Sequence, residues 1–417
     1  MITYYLIRIL TYPFGFLPFW ALQITGKFLG SFLYLFLPKF RKRALSNLAL
    51  AKDLNLSSRE IRTTAKNSFK NLCITYLEYA KLARGKNLEK SIICKNPEVA
   101  SKLYQQKKGI VFFCAHQANW ETLFIDGTSK MKGIAIGKPL KNRTLYNWIL
   151  KIREQNGGRI IEPQKALKES LKALRQGIFV GILGDQGMPT SDFSYPFLGT
   201  RAWTSTAPAL LAIKTNSPII YAETRREFGK YVITYSDPIF PNLENPLDKE
   251  VPRLMNKVLS LLEESIRKRP SEWLWQHNRY KQLTPHKIYR EYRHDSILII
   301  LPRDPRAIKQ SKALSLLLSK IYDGAFITLL SPTSTPTKIL HCEHLHYSKD
   351  SEKLLDDYRF KIVYDFTGSS EVQTHYLSKA VVKVVNLKPF SNDIIDNAKQ
   401  KLIKLICRPG TFTTKNS

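Results

Sequence analysis

The chain has 417 residues, of which 43% are hydrophobic, and a formal net charge of +31 at pH 7. This length suffices for a substantial core and predicts about two domains. The charge indicates an anionic partner. Because the sequence has no zinc-finger spacing and no basic run interleaved with aromatic residues, we expect anionic lipid or an acidic protein and no nucleic acid. A Lys-rich composition without such a partner is the alternative.

The first 37 residues are predominantly apolar, and residues 9–26 carry no charge. This length predicts an N-terminal membrane helix, although Pro13 and Pro18 would kink a straight span. The basic residues within 39–43 favour keeping the rest of the chain on the cytoplasmic side. One spanning helix and a re-entrant anchor remain alternatives, whereas the lack of a small-x-small site disfavours a cleaved signal peptide.

Two predicted regions follow the apolar segment. Residues 55–105 have a helical pattern, and residues 110–236 alternate short apolar strands with helices. The clearest strands are 110–115 and 178–184, and residues 248–268 form an amphipathic helix. This alternation predicts a mixed α/β sandwich.

The α/β pattern restarts after a basic connector that ends near residue 295. The pattern in residues 295–417 predicts an accessory Rossmann-like α/β domain without catalysis. Three histidines between His341 and His346 suggest a metal cluster, but on a strand only His344 and His346 share a face. An ordinary polar strand is therefore favoured, and we expect no metal site.

The five cysteines are odd in number, widely spaced and without a Cys-x-x-Cys pair. This pattern predicts a reducing compartment. Cys114 lies two residues before His116, but on a strand it should point into the sheet as a small hydrophobic residue rather than act as a nucleophile.

The most informative motif is His116-Gln117-Ala118-Asn119-Trp120-Glu121, directly after the predicted strand 110–115. His116 should lie at the carboxyl end of a strand, where open α/β sheets bind ligands, and Asn119 should cap the next helix. Glu121 follows about one helical turn later and is expected to fold back toward the imidazole. A histidine held by a carboxylate is a general base. The alternative is a surface loop with a histidine and a capping acid.

This motif resembles the His-x4-acid signature of the glycerolipid acyltransferase superfamily. Its His-x-x-Asn-Trp-Glu form resembles the late acyltransferases of lipid A biosynthesis, the lauroyl/myristoyl type. The resemblance covers about residues 1–285. Further segments that match in order are Arg43–Leu48, Lys138–Asn142 (with Lys for the usual Arg), Arg153 with Asn156–Gly158, Asp185-Gln186, Phe197–Gly199 with Ala202-x-Thr204, and Glu272–Lys281.

The resemblance implies transfer of a fatty acyl chain from an acyl carrier protein thioester to a hydroxyl of a phosphorylated lipid A precursor of the Kdo-lipid IVA type, without a cofactor. It implies His116 as the general base, oriented by Glu121. Arg153 is the candidate for stabilising the oxyanion or binding a phosphate. The remaining candidate substrate-binding residues are Asn119, Lys138, Asn142, Asp185 and Gln186.

Several alternatives stay open at this point. Asp185 and Gln186 could orient Arg153, bind the sugar or satisfy backbone groups. Since no Gly-x-Ser-x-Gly motif occurs, a covalent acyl-enzyme is not indicated. An enzyme that uses a coenzyme A thioester on a glycerophosphate or glycolipid, and a basic membrane-anchored scaffold, are the rival functions.

The predicted organisation combines these expectations. A membrane anchor (1–38) precedes an acyltransferase domain (39–285), and the accessory domain follows (295–417). The enzyme is expected at the bacterial inner membrane, in contact with anionic lipids, with its catalytic domain on the cytoplasmic side.

Overall fold

A computed structural model describes residues 2–85, 88–187, 189–191, 193–282 and 287–410. The predicted domain limit at residue 285 and the chain end at 417 lie outside the described residues. The chain divides into two compact units, which we call the first unit (Met1–Leu37 and Thr63–Leu274) and the second unit (Pro38–Arg62 and Trp275–Ser417). The domain limits drawn from the sequence stay a prediction.

Helices occur along the whole described chain. They are α1 (Ile2–Thr11), α2 (Phe19–Phe36), α3 (Pro38–Leu50), α4 (Ser58–Leu82), α5 (Glu98–Gln105), α6 (Glu121–Lys130), α7 (Arg143–Arg153), α8 (Ala166–Arg175), α9 (Ala207–Thr215), α10 (Leu247–Lys268), α11 (Pro305–Ile321), α12 (Ser370–Ser378) and α13 (Ile395–Ile406).

The first unit is built on a mixed sheet. Its strands are β1 (Ile92–Cys94), β2 (Val111–Cys114), β3 (Gly133–Ile136), β4 (Arg159–Ile161), β5 (Phe179–Leu183), β6 (Ser194–Phe197), β7 (Thr200–Trp203), β8 (Ile219–Glu227) and β9 (Lys230–Tyr235). The sheet has the order β1-β9-β8-β2-β5-β3-β4, and β6 and β7 form a separate antiparallel hairpin. Of the sheet neighbours, β8 and β9 are antiparallel and the others are parallel.

Strand β2 lies in the middle of this sheet, and all four of its residues are buried. A short apolar run of this kind forms a strand that is covered on both faces. The predicted strands near 110–115 and 178–184 are therefore confirmed. Residues 92–94 were expected to be helical, and they instead form β1 because Ile92 pairs with Tyr231 of β9.

The second unit contains a parallel sheet in the order β12-β11-β10-β13-β14. Its strands are β10 (Ser296–Ile300), β11 (Phe326–Pro332), β12 (Glu343–Tyr347), β13 (Ile362–Asp365) and β14 (Lys383–Asn386). A parallel sheet with intervening helices is Rossmann-like, as expected. Helix α3 also belongs to this unit: the Asn47 amide donates to the carbonyls of Trp275 (2.8 Å) and His277 (2.5 Å).

The N-terminal helices expose large apolar side chains, for example Ile9 (71% exposed) and Phe28 (76%). Among the described helices, none has by itself the length and the apolar composition of a membrane span. Helices α2 and α3 have both only when they are taken together, and they are bent by 96° at the break between them. The α/β class is thus confirmed, and the N-terminal membrane helix stays a prediction.

Candidate active site

The loop after β2 has a constrained backbone. Ala118 is fully buried and has a φ of +44°, a left-handed conformation that is uncommon for residues other than glycine. Its N–H donates to the Glu272 carbonyl (2.9 Å), and its carbonyl accepts from the Thr75 hydroxyl (2.7 Å). The Leu274 N–H donates to the His116 carbonyl (3.0 Å). These bonds fix the direction in which the His116 side chain leaves the sheet.

The His116 imidazole is held by Asp185 and not by Glu121, which corrects the expectation from sequence. The His116 Nδ1 lies 2.8 Å from Asp185 Oδ1, and the His116 backbone N–H donates to Asp185 Oδ2 (2.9 Å). The Trp273 indole N–H also donates to Asp185 Oδ2 (2.9 Å). The Gln186 amide nitrogen lies 3.3 Å from the same His116 Nδ1. This pairing arises because β2 and β5 are parallel neighbours, so the residues that follow them meet at one sheet edge.

Asp185 is ionised in this setting. Burial alone would raise the pKa of its carboxyl, but the His116 imidazole and the hydrogen bonds from His116 and Trp273 outweigh burial and lower the pKa to about 2. Because an ionised carboxylate can only accept a hydrogen bond, Nδ1 of His116 must carry the proton. The Nε2 atom then has the lone pair, so it is the atom that can take a proton from a substrate.

Glu121 pairs with Arg153 in the first turn of α6. The Arg153 guanidinium donates from Nε to Oε2 (2.8 Å) and from a terminal nitrogen to Oε1 (2.5 Å), which is a bidentate pair. The Tyr79 hydroxyl (2.5 Å) and the Trp120 indole N–H (2.9 Å) also donate to Oε1. Glu121 therefore fixes the position of Arg153.

The buried Glu121–Arg153 pair is charged on both sides. Burial would raise the pKa of the Glu121 carboxyl, but Arg153 and the hydrogen bonds from Tyr79 and Trp120 lower it. Burial would likewise lower the pKa of Arg153, and Glu121 raises it well above its ordinary value. Removing one partner would leave an uncompensated buried charge, which is strongly destabilising.

Asn119 and Asn142 hold backbone and neighbouring side chains. Helix α6 begins at Glu121 with Trp120 at the N-cap position; the Asn119 side chain, expected at that position, still accepts from the Glu121 N–H (3.3 Å). Its amide donates to Glu78 (2.9 Å), and the residue is fully buried. Asn142 is the N-cap of α7 and accepts from the Leu145 N–H (3.0 Å). Both side chains thus have local structural contacts.

Five of the other site residues share the wall of one cavity of about 440 Å³, and Asp185 is not among them. Its polar lining includes His116, Glu121, Lys138, Arg153 and Gln186. The rest of the lining is largely apolar and includes Phe112, Leu123, Phe124, Ile160, Phe179 and Ile182. An apolar cavity with a few polar groups in its wall is the usual form of a small-molecule or lipid-chain site.

Cys114 lies in the wall of this cavity. Cys114 is buried, and burial raises the pKa of its thiol to about 12, which leaves it unreactive. In the described ranges, no group of three or more His, Cys, Asp or Glu residues is arranged to hold a metal ion. In the His341–His346 segment, His346 Nδ1 lies 3.0 Å from the Ser331 hydroxyl, and His344 Nε2 lies 3.0 Å from the Ile339 carbonyl.

Sequence reasoning missed one face of α4. Thr75, Glu78 and Tyr79 lie at i, i+3 and i+4, so they project from one side of the helix, and they contact Ala118, Asn119 and Glu121 in turn. The sequence did contain a signal for this contact, because polar residues at this spacing interrupt an otherwise apolar helical face. Trp273 was quoted only as part of a matching segment, and its bond to Asp185 had no sequence signal.

An oriented histidine base and a fixed arginine in the wall of an apolar cavity suit the transfer of an apolar chain to a hydroxyl group. The family model of bacterial lipid A biosynthesis acyltransferases matches residues 1–282, which is more than half of the chain. The chain therefore belongs to the bacterial lipid A biosynthesis acyltransferases. No curated protein matches it significantly.

Proposed function

We propose that the chain transfers a fatty acyl group from an acyl carrier protein thioester to a hydroxyl of a phosphorylated lipid A precursor of the Kdo-lipid IVA type. The observation that carries this proposal is the His116 imidazole, which is paired with Asp185 and lies in the wall of a largely apolar cavity. The apolar lining suits the acyl chain, and the imidazole suits a hydroxyl proton. The net charge of +31 suits both an acidic carrier protein and a phosphorylated acceptor.

The proposed reaction is a direct acyl transfer. The Nε2 atom of His116 removes the proton of the acceptor hydroxyl while its oxygen attacks the thioester carbonyl carbon, which gives a tetrahedral oxyanion. The oxyanion then collapses, the carbon–sulfur bond breaks, and the thiolate takes the proton from the imidazolium. Asp185 stabilises the imidazolium throughout because its carboxylate faces Nδ1.

We assign the oxyanion to Arg153. Two of its donors bind Glu121, and the rigid guanidinium fork has further N–H groups to offer to a developing negative charge. In this proposal Glu121 acts through Arg153, as a positioning residue. Lys138 and Gln186 line the same cavity and are proposed to contact the substrate.

The N-terminal helices are proposed to attach the enzyme to the cytoplasmic face of the inner membrane. Exposed apolar side chains on α1 and α2 support this, as does the basic segment 39–43 after them. Protease added to the periplasmic side of spheroplasts should leave the chain intact. Cleavage near residues 285–295, in the basic connector, would contradict the orientation.

The function is tested by mass spectrometry of lipid A from a lipid A-producing strain that lacks this chain. The strain should lose one acyl group, and the wild-type chain should restore it, whereas the His116→Ala chain should not. Unchanged lipid A in the deletion strain would refute the proposal. If purified wild-type chain used acyl coenzyme A with a glycerophosphate and ignored the carrier-protein thioester, the rival acyltransferase function would replace it.

A further inference from the structure

A second cavity of about 450 Å³ lies in the first unit and has no function in the proposed reaction. Helices α2 and α4 and the turn between β8 and β9 contribute to it. Its lining includes Lys27, Lys70, Asn67 and Ser271, and none of its lining residues belongs to the cavity of His116. The cavity thus combines ammonium, amide and hydroxyl groups.

Close helix packing brings the lysines together. A Cβ atom on Gly26 would lie 2.7 Å from the Ile74 Cα, and one on Gly30 would lie 2.4 Å from the Lys70 Cα. Only glycine therefore allows α2 to approach α4 so closely. As a result, Lys27, which follows Gly26, faces the same cavity as Lys70.

This packing places like charges beside one another. Lys66 and Lys70 are four residues apart on α4, a spacing at which like charges repel. Burial lowers the pKa of the Lys70 ammonium, and the charges of Lys66 and Lys27 lower it further. The Lys70 ammonium donates to the neutral Asn67 amide (3.0 Å). A bound anion would relieve this repulsion.

The acids in the cavity wall face arginines. Glu227 pairs with Arg225 and Glu272 pairs with Arg269, each at 3.6 Å. Their charges are thus largely balanced by these partners, and the cluster Lys27, Lys66 and Lys70 gives the cavity a positive character.

Apolar side chains lie next to the same cavity. Phe228 is 70% exposed and stacks on Trp20 at 6.4 Å between ring centroids. Ile24, three residues before Lys27 on α2 and therefore on the same side of the helix, is 51% exposed. Ammonium groups beside exposed apolar side chains suit a molecule that carries an anionic group on a hydrocarbon body.

We propose that this cavity binds the phosphate group of a lipid, with Lys27 and Lys70 pairing the phosphate oxygens and the exposed aromatic side chains contacting the hydrocarbon. The site is separate from the reaction cavity. Two lipids supply such a phosphate: a bilayer phospholipid, as a diester, and the phosphorylated acceptor, as a monoester, and only the second rests on the proposed function. Both present the same anionic oxygens to the lysines.

Native mass spectrometry of the full chain, released from neutral detergent micelles, tests this site. The probes are phosphatidylglycerol, a phosphorylated lipid A precursor, phosphatidylcholine and inorganic phosphate. We expect one anionic lipid to be retained in preference to phosphatidylcholine and not displaced by an equal concentration of inorganic phosphate. The lipid that is retained identifies the source of the phosphate.

Matched charge variants make the test specific. Lys27→Gln with Lys70→Gln should lower retention of the anionic lipid by roughly tenfold or more. Lys102→Gln with Lys214→Gln removes two charges from other exposed lysines and should leave retention unchanged. Lys27→Arg with Lys70→Arg should preserve retention, which separates charge from folding. Without lipid, the first double variant should melt no lower than the wild type, because repulsion is removed.

The proposal is overturned by any of three results. In the first, the two double glutamine variants lower lipid retention equally. In the second, Lys27→Gln with Lys70→Gln does not lower retention at all. In the third, inorganic phosphate displaces the lipid completely. Because retention is measured without turnover, these results are independent of whether the chain transfers acyl groups.

Discussion

Each of the two large sheets has a buried aspartate at the carboxyl end of one strand, and the two aspartates have different partners. In the first unit, β5 is followed by Asp185, whose buried carboxylate reaches the His116 imidazole after β2. In the second unit, β13 ends with Asp365, which is also buried. Asp365 accepts from the Thr367 N–H (2.8 Å), the Thr367 hydroxyl (2.6 Å) and the Ser369 N–H (3.2 Å).

The two strand ends differ in what their aspartates contact, which distinguishes a candidate active site from an ordinary turn. Both aspartates lie at the carboxyl ends of strands that pair in parallel with their neighbours, the position at which such folds bind ligands. The Asp365 carboxylate accepts hydrogen bonds from Thr367 and Ser369, in the turn before α12. The Asp185 carboxylate instead contacts the His116 imidazole, which lies in the wall of an apolar cavity. A strand end thus becomes a candidate site when its charges face a second reactive group and a cavity.

The largest effect should come from the reactive group itself. His116→Ala should lower acyl transfer by about a hundredfold to ten-thousandfold, because the general base is lost. The fold should survive, since the side chain is partly exposed on a loop. Turnover and the melting temperature of the purified variant check both statements, and near-wild-type turnover would refute the assignment of the base.

The comparison of the two aspartates can be made directly. Asp185→Asn should lower kcat on the order of a hundredfold or more, because a neutral amide neither selects the Nδ1–H tautomer of His116 nor stabilises its imidazolium. Asp365→Asn should lower the melting temperature and leave kcat unchanged. Equal kcat values for the two variants would show that Asp185 has no greater role in catalysis than Asp365.

Arg153→Lys should lower kcat by about tenfold to a hundredfold. A lysine cannot reproduce the bidentate bonds to Glu121, and the oxyanion would lose a fixed donor. Arg159→Lys is the matched control, since the Arg159 side chain is 65% exposed and pairs with Glu169 at 3.5 Å. If both substitutions lower kcat equally, Arg153 contributes only surface charge.

The cavity itself can be altered at Gly181 in β5. A Cβ atom there would lie 3.5 Å from the Ala135 Cβ, which is an ordinary contact, so Gly181→Val should fold. The added side chain should take space from the acyl chain and lower kcat/KM for a long donor relative to a short one by about tenfold. An unchanged ratio of kcat/KM between the two donors would show that the chain binds elsewhere.

The smallest effect concerns the pH dependence of stability. The pKa of Asp185 falls from 3.8 to about 2 on folding, so its carboxylate contributes stability that is complete above about pH 5 and is lost as the pH falls toward 2. The difference in free energy of unfolding between wild type and Asp185→Asn should therefore shrink as the pH falls from about 5 toward 2. A difference that stays constant as the pH falls to about 2 would contradict the assigned pKa.

The sequence predicted those parts of the site that depend on local pattern. An apolar run before His116 was sufficient to place the histidine at a strand end. The partner of its imidazole could not be predicted, because the neighbouring position of β2 and β5 is a property of the whole sheet. Glu121 was close enough in sequence to be chosen, but it meets Arg153 instead, which reaches it from another helix.

Long-range packing also explains what the sequence did not reveal about the fold. Helix α3 was expected with the acyltransferase domain, yet it clusters with the second unit, where Asn47 bonds to the carbonyls of Trp275 and His277. Strand β1 forms through pairing with β9, far along the chain. Neither partner can be inferred from local propensity.

The most direct test of the central claim is the mass of the acceptor after incubation with purified chain. The full chain, an acyl carrier protein thioester and a phosphorylated lipid A precursor are combined in neutral detergent. Wild type and Asp365→Asn should add one acyl group to the precursor and release the carrier thiol, and His116→Ala should add none. A precursor of unchanged mass with the wild-type chain, or full acylation by His116→Ala, would contradict the account.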